Sequence, residues 1–567
     1  MMTGRDDAPC GSGVAWQNLV NVLTSTVLRA TRHASTANMR KTATLPQPGS
    51  PYPMSLLKTT LDANAFACIL EFVPKPGAER FATLETLMAR TRLCGWPLTV
   101  AIGDRVSSAL DMSPLEAFGS LANPVPALLH FSGKDRERRD LLAQLQRMDA
   151  AGLDQLLLLT GDRLPGHTPG ERPVRYLESV AALQIVRQAR PHWLLAAALN
   201  PFKYQEAEGG AQYCKAEKKL AAGADLFILQ LGFDIDKHQE AFDWMQRQPR
   251  PKPLMACIMA LTEGRAGMLD HVAGVTVTPS MRALLAAETA VSKAYARERA
   301  NHRLALQVIG LKLMGYAGVH LSGIHEVAQF EALEQAIGAL QPQFTSLQDW
   351  TPAWEAAWQE ADLAPVTFHP PGHAWRLGQR QITASNKEKA RYHLLSAMHH
   401  QLFSRTTALS KGFGWAVTRS LWANPTAAQW LHRLERRIKR PLVGCDTCGS
   451  CRLEDTLYIC PETCPKGLAN GPCGGTSLDR CEFGDRECVH SAKYRLAVSV
   501  GRTEVLRERL IPCVQVDSRH RSSWPVWFEP APLAIAEPTP MSADDLLAKT
   551  RERLAAPQRV KVSLDDL

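Results

Sequence analysis

Cysteines with the spacing of metal ligands are concentrated in one short part of this 567-residue chain. Eight of its 14 cysteines fall inside the motifs CDTCGSC, CPETCPKG and NGPCGG or shortly after them. Closely spaced thiolates of this kind coordinate zinc or iron–sulfur clusters. The pattern therefore predicts a metal-binding module, with the candidate ligands Cys445, Cys448, Cys451, Cys460, Cys464, Cys473, Cys481 and Cys488.

The spacing leaves two kinds of metal site open. Cys445, Cys448 and Cys451, followed at a distance by Cys460 and a proline, resemble the three-plus-one ligation of a [4Fe–4S] cluster. Paired cysteines, such as Cys445 with Cys448 and Cys460 with Cys464, would instead close tetrahedral zinc sites. The triple spacing is uncommon in structural zinc sites and favours the cluster.

The long segment before this module alternates short apolar runs with stretches of helical periodicity. Continuous apolar strands separated by helices are typical of a parallel sheet that is covered on both faces. Eight such units predict an α/β fold of the (β/α)8 TIM barrel type, followed by a helical segment and the cysteine module. An open doubly wound sheet is the alternative, but no GxGxxG motif follows the first run. The eight runs are 67–73, 98–102, 127–131, 156–160, 194–199, 226–230, 254–259 and 318–321.

Polar residues stand at the ends of several predicted strands. Any one of them could have a purely structural role, because a polar side chain after a strand often caps the next helix. Their convergence at the carboxyl ends of barrel strands instead predicts one active site. These residues are Glu71, His130, Asp162, Asn200 and Gln230, and Gly161 immediately precedes Asp162.

Composition divides the chain and excludes some functions. We predict a disordered or targeting-like extension over 1–53, the barrel over 54–340 and a Trp-rich helical connector over 341–440, then the cysteine module over 441–500 and a tail over 501–567. The net charge of +9 comes without a basic run interleaved with aromatic residues, so nucleic-acid binding is not expected. No apolar run is long enough to span a membrane, and the local clustering of cysteines favours a reducing, cytoplasmic location.

The segments ILEFVPKP, LLHFSGKD, LLLLTGDRLPG, KKLAAGADLFILQ and GLKLMGYAGVHLSG resemble the flavin-dependent methylenetetrahydrofolate reductases. The cysteine segment resembles the C-terminal module of some bacterial members of that family. The resemblance implies interconversion of 5,10-methylene- and 5-methyltetrahydrofolate, with FAD as the expected flavin, FMN as the alternative, and NADH or a partner protein as the electron donor. An oligomer is also compatible with it.

The same resemblance implies roles for individual residues. Glu71 matches the acid that protonates the pterin, and Gln230 matches a residue that hydrogen-bonds it. Asp162 matches an aspartate near flavin and pterin. The implied flavin contacts also include His130, Gly161, Tyr176 and Lys219.

Two departures bear on the flavin and on its donor. Ala101 replaces a hydroxyl residue that many relatives carry, and Thr160 replaces an arginine that some relatives carry, so we expect slow reduction by NADH. Two other functions stay open: a barrel that passes methyl from methyltetrahydrofolate to a corrinoid partner, and an electron-transfer or scaffold subunit of a reductase complex.

Overall fold

The computed structural model describes residues 55–75, 77–104, 112–163, 176–360, 362–484, 486–514 and 516–529. The predicted extension over 1–53 and most of the predicted tail lie outside the described residues.

Eight parallel strands form a closed barrel, because β1 pairs with both β3 and β9 while every other strand pairs with its sequence neighbours. A short strand, β2, forms an antiparallel hairpin with β3. All eight apolar runs are strands, each within two residues of its predicted bounds, and the predicted barrel is confirmed. The strands are β1 Ala67–Phe72, β2 Arg92–Leu93, β3 Trp96–Ile102, β4 Ala127–Ser132, β5 Gln155–Leu159, β6 Leu194–Leu199, β7 Leu226–Leu229, β8 Leu254–Ile258 and β9 Gly318–Leu321.

Helices follow the strands along the barrel domain. They are α1 Leu56–Asp62, α2 Ala78–Met88, α3 Pro114–Gly119, α4 Arg138–Ala150, α5 Ser179–Ala189, α6 Glu206–Ala221, α7 Ile235–Gln246, α8 Glu263–Leu269, α9 Pro279–Val291, α10 Lys293–Met314 and α11 Val327–Leu340. Helix α1 places Leu57 and Leu61 in the apolar cluster that fills the barrel interior with Ile69 and Met255. The backbone N–H of Lys58 also donates to Gln155 at the start of β5 (3.1 Å). Helix α1 therefore closes the amino-terminal end of the barrel, and a ligand site is expected at the carboxyl ends of the strands.

The remaining helices are α12 Leu347–Ala357, α13 Asn386–Phe403, α14 Ala408–Val417, α15 Pro425–Val443, α16 Val489–Ser499, α17 Glu504–Arg507 and α18 Trp524–Phe528. Short 3-10 turns lie at Gln341–Gln343, Ser420–Ala423, Glu454–Thr456, Pro461–Thr463 and Val516–Ser518. Trp350 of α12 is buried and donates to the carbonyl of Leu306 on α10 (2.8 Å), so the first part of the connector belongs to the barrel wall.

The cysteine segment packs directly on the barrel. Helix α16 lies against α6, where a Cβ added at Gly210 would come within 2.1 Å of the Tyr494 ring. Most of α6 is consequently buried, including its polar residues Glu208, Gln212 and Lys215. The described residues of the barrel, the connector and the cysteine segment accordingly form one compact unit. No helix in the described ranges is long and apolar enough to cross a membrane.

Candidate active site and cysteine module

Glu71 lies on the inner side of β1 near its carboxyl end and is half-buried. The hydroxyl of Ser322, just after β9, donates a hydrogen bond to Oε2 of Glu71. His320, two residues earlier, lies close enough to interact with this carboxylate. The pairing of β1 with β9 therefore unites an acid with a hydroxyl and an imidazole that are some 250 residues away in sequence.

Two buried histidines face the barrel interior beside Glu71. The rings of His130 on β4 and His320 on β9 are stacked, with centroids 6.2 Å apart. Burial lowers the pKa of His130 to about 3, with a further contribution from His320. Burial also lowers the pKa of His320, while the Glu71 carboxylate acts in the opposite direction. Both imidazoles are therefore neutral near pH 7.

Three nitrogens of these buried histidines have no hydrogen-bond partner among the described residues, which indicates a ligand site. Among the described residues, none lies within hydrogen-bonding distance of Nε2 of His130 or of either ring nitrogen of His320. Buried polar atoms normally have partners, so three unpartnered nitrogens in one interior layer favour a bound group with polar edges. A pterin or the ring of a flavin has such edges, and the residues on this side of the barrel fit either.

Gly161 and Asp162 closely follow β5, and Tyr176 contacts Asp162. The hydroxyl of Tyr176 donates to the carbonyl of Asp162 (3.0 Å). Asp162 is exposed at the rim, yet the surrounding protein desolvates its carboxylate and raises its pKa, against the lowering effect of Lys466. The ammonium of Lys466 donates to the carbonyl of Gly161 (2.7 Å) and forms an ion pair with Glu482. The cysteine module thus takes part in this side of the site.

The loop 470–475, which contains the NGPCGG motif, packs against the end of β6. Asn200 donates to the carbonyl of Gly474 (2.9 Å), and Lys203 donates to the same carbonyl (3.0 Å). Two residues of α6 extend this contact, since Gln212 donates to the carbonyl of Cys473 (2.6 Å) and Lys215 to that of Pro472 (2.9 Å). Asn200 is therefore a docking residue for the module.

Lys219 and Gln230 already have protein partners. The ammonium of Lys219 donates to the carbonyl of Ala198, and burial together with Lys215 lowers the pKa of Lys219 to about 7. The Gln230 amide donates to the carbonyl of Ala273 (3.2 Å) and accepts from the backbone of Leu231 (2.9 Å). Their predicted contacts with flavin and pterin stay predictions, and each would require an exchange of these bonds.

The eight cysteines fall into two groups. A small cavity is lined by the first thiol group, Cys445, Cys448, Cys451 and Cys460. The second thiol group is linked by electrostatic interactions among Cys464, Cys473, Cys481 and Cys488. Cys460 therefore lies with the three cysteines before it, as the three-plus-one pattern requires, and is separated from Cys464.

The donor chemistry of both groups fits a metal centre. Among the described residues, no three His, Cys, Asp or Glu side chains already converge at metal-binding distance, so the thiols would have to turn inward on loading. Each group has an ammonium beside it: Nζ of the half-buried Lys439 lies 3.5 Å from Sγ of Cys451, and the buried Lys493 interacts with Cys464. Within the described chain Nζ of Lys493 lacks a hydrogen-bond partner. An anionic four-thiolate centre, with zinc or a [4Fe–4S] cluster, would neutralise these cations.

Glu178 gives a test of how firmly the module is docked. Its buried carboxylate accepts from the backbone of Asn470 (3.1 Å) and pairs with Lys215 (3.1 Å). Burial alone would raise the pKa of Glu178, but Lys215 and Asn470 outweigh it and leave the pKa below its usual value. Glu178→Gln leaves Lys215 buried without a counter-charge, so we expect a loss of about 3–5 kcal/mol in the free energy of unfolding by urea.

The pH dependence of this loss has a definite sign. A carboxylate with a lowered pKa stabilises the folded state above the pKa of a free glutamate, and this stabilisation disappears as the pH falls through the folded-state pKa. The difference in the free energy of unfolding between the parent and Glu178→Gln should therefore be largest at neutral pH and should disappear in acid. Glu331→Gln, in the exposed pair with Arg90, is the control and should change stability by less than about 1 kcal/mol. Equal effects of the two substitutions would contradict a tightly docked module.

Comparison with known proteins assigns both parts of the chain. Residues 56–326 match the model of methylenetetrahydrofolate reductase, and residues 424–517 match the model of the methylene-tetrahydrofolate reductase C terminal. A comparison with curated proteins gives no significant match.

Two solved structures illustrate the wider similarity. An uncharacterized protein from Clostridium thermocellum that binds two copies of 5-methyl-5,6,7,8-tetrahydrofolic acid is 11% identical over 51% of this chain and 100% of that chain, with a TM-score of 0.34. Phosphoenolpyruvate phosphomutase from Streptomyces platensis subsp. rosaceus is 14% identical over 53% of this chain and 96% of that chain, with a TM-score of 0.28. These scores are too low to carry an argument about function. The two family matches are what assign the protein: the chain belongs to the methylenetetrahydrofolate reductase family and joins its barrel domain to its C-terminal domain.

Proposed function

We propose that the protein is a flavin-dependent oxidoreductase that interconverts 5,10-methylenetetrahydrofolate and 5-methyltetrahydrofolate. The observation that carries this proposal is the Glu71–Ser322 pair beside two neutral, unpartnered histidines in a barrel of this family. It combines a group able to move a proton with nitrogens able to hold a polar heteroaromatic ring. FAD is the flavin we expect, with FMN as the alternative.

Glu71 is the residue that we propose to move the proton. Opening of the bridge in the methylene substrate requires protonation of the pterin, which produces an electrophilic 5-iminium cation. The Ser322 hydroxyl hydrogen-bonds Oε2 of Glu71, and we propose that the other carboxyl oxygen delivers the proton. Neutral His130 and His320 accept or donate hydrogen bonds without adding a positive charge that would repel this cation. When bound, the flavin supplies the hydride chemistry.

The remaining candidate residues hold the ligands in place. Gln230 is positioned at the end of β7 to bind the pterin after exchanging its bond to Ala273. Gly161, Asp162, Tyr176 and Lys219 lie on the side of the mouth that the module covers, and we propose that they border the flavin. The two thiol groups would hold zinc or clusters. NADH and a partner protein are the two candidate electron donors.

Purification under anaerobic conditions tests this function. We expect a yellow protein whose flavin is reduced by 5-methyltetrahydrofolate, with formation of the methylene compound. A colourless protein that transfers methyl to a free corrinoid would favour the methyltransferase alternative. Absence of both reactions in a protein loaded with flavin and metal would leave only an electron-transfer or scaffold role.

Asp162→Asn should raise the reduction potential of the bound flavin and weaken folate binding. A nearby negative charge disfavours the electron-rich reduced flavin, so its removal makes reduction easier. Titration with a redox dye measures the potential, and Asp140→Asn, on the exposed face of α4, is the control. An unchanged potential would place the Asp162 carboxylate away from the flavin ring.

A further inference from the structure

The helical unit, residues 386–443, exposes most of the large apolar side chains on the surface of the protein. Within the described ranges, eleven large hydrophobic residues are exposed, and nine of them belong to this unit or to α18, which packs on it. Trp415, Leu421 and Trp430 are each more than half exposed (64%, 62% and 56%). Apolar exposure of this density on one element is typical of an interaction surface.

Side-chain contacts define an aromatic patch formed by Trp415, Arg419, Trp422 and Trp430, and the exposed Leu421 precedes Trp422 in the sequence. The Trp422 ring stacks on Trp430, with centroids 6.1 Å apart and planes 9° apart. The indole N–H of Trp422 donates to the carbonyl of Ala416 (2.7 Å), next to Trp415. The guanidinium of Arg419 lies over the Trp415 ring at 4.2 Å. The patch is therefore ordered before any partner arrives, which lowers the entropic cost of binding.

The helical unit also carries the net positive charge of the chain. It contains eleven Lys and Arg residues but only two acids, a balance of +9 that equals the formal net charge of the whole chain. Both acids are already paired, Glu388 with Arg495 and Glu435 with Lys439. Arg433 and Arg437 are exposed on α15 about one and two turns beyond Trp430. A partner that covers the patch would accordingly need a negatively charged rim.

The position of the patch indicates what kind of protein this partner is. Helix α15, which carries Trp430 and the arginines, ends at Val443 and leads directly into Cys445 of the first thiol group. Its Lys439 also contacts Sγ of Cys451 (3.5 Å). The first thiol group therefore directly follows the helix that carries Trp430 and the arginines. Small interfaces steered by charge are usual for proteins that exchange electrons.

We propose that the helical unit is the docking surface for an acidic electron-carrier protein, with the aromatic patch as its centre and the arginines of α15 as its rim. The electron-carrier identity rests on the proposed function, whereas the binding surface does not. Binding is measured without folate, so loss of folate turnover and loss of docking are distinguishable results.

The test uses the full-length, metal-loaded protein and two acidic probes, a [2Fe–2S] ferredoxin and a flavodoxin. We expect at least one to bind at low salt and to bind more weakly as salt is added. The variants Trp430→Ala and Arg437→Glu should each weaken binding about tenfold or more, because aromatic and arginine anchors dominate such interfaces. Val291→Ala and Arg297→Glu, exposed on the barrel domain, are the matched controls and should change nothing.

Three results would overturn the proposal. One is binding of neither probe, or binding that the patch variants leave unchanged. Another is preferential binding of vesicles with anionic lipids through Trp430 and Arg437, which would make the unit a membrane-surface element. The third is self-association that depends on Trp430 in sedimentation, which would make the occupant a second copy of the chain. Circular dichroism confirms folding of each variant, and truncation of the exposed Trp430 should be well tolerated.

Discussion

Glu71→Gln should reduce folate turnover by about 10²–10⁴-fold, the usual loss when a general acid is removed. Glutamine keeps the size of the side chain and can accept the hydrogen bond from Ser322, but it cannot deliver a proton. Flavin content and its reduction by dithionite should be unchanged. Steady-state turnover and single-turnover oxidation of reduced enzyme by methylenetetrahydrofolate measure the effect.

Ser322→Ala separates chemistry from positioning. It removes the hydroxyl that fixes Oε2 of Glu71 but retains the carboxylate, so we expect a smaller loss than for Glu71→Gln, together with a shifted pH profile. Glu331→Gln on the exposed face of α11 is the control for a lost carboxylate. If Glu71→Gln retains turnover within a few-fold of the parent, Glu71 has no part in proton transfer.

The second large effect concerns metal in the two thiol groups. Cys448→Ser removes a proposed ligand of the first group and Cys488→Ser a proposed ligand of the second, so each should lower the content of bound metal by about half. Because metal ligation is coupled to folding, both variants should make the cysteine segment sensitive to protease. Cys488→Ser should also loosen the loop 470–475 from the barrel and thereby lower folate turnover.

Elemental analysis identifies the metal. About four irons with sulfide per group would establish clusters, whereas about one zinc per group would establish structural zinc sites. Cys513→Ser, outside both groups, should leave metal content unchanged. Less than about 0.2 metal per chain after anaerobic purification would contradict both versions.

The barrel was predictable because parallel strands that are buried on both faces read as unbroken apolar runs. The run LLAAAL, for example, is the whole of β6, Leu194–Leu199. Glu71 and Asp162 were recognisable as polar residues where such runs end. The sequence pattern does not mark His320 and Ser322 as site residues, although their alternate spacing at the end of the last run would place both on one face. Their partnership with Glu71 depends on closure of β1 on β9, which is a long-range pairing.

The docking of the module was also beyond prediction from sequence patterns. Helix α6 contains Glu208, Gln212 and Lys215, which in an amphipathic helix would face solvent. In the structure they are buried beneath the cysteine segment, and Lys215 bonds backbone carbonyls of the loop 470–475. Local periodicity cannot reveal such a contact, because it shows which residues are polar but not which groups they bind in the folded chain. The choice between grouping Cys460 with the cysteines before it and pairing it with Cys464 likewise required the folded chain.

The most direct test of the proposed function is a single-turnover reaction in the absence of oxygen. Enzyme with reduced flavin is mixed with 5,10-methylenetetrahydrofolate, and the flavin absorbance and the folate products are followed together. We predict reoxidation of the flavin with formation of one 5-methyltetrahydrofolate per flavin. A flavin that stays reduced in the presence of the substrate, or a purified protein that binds no flavin, would contradict the account.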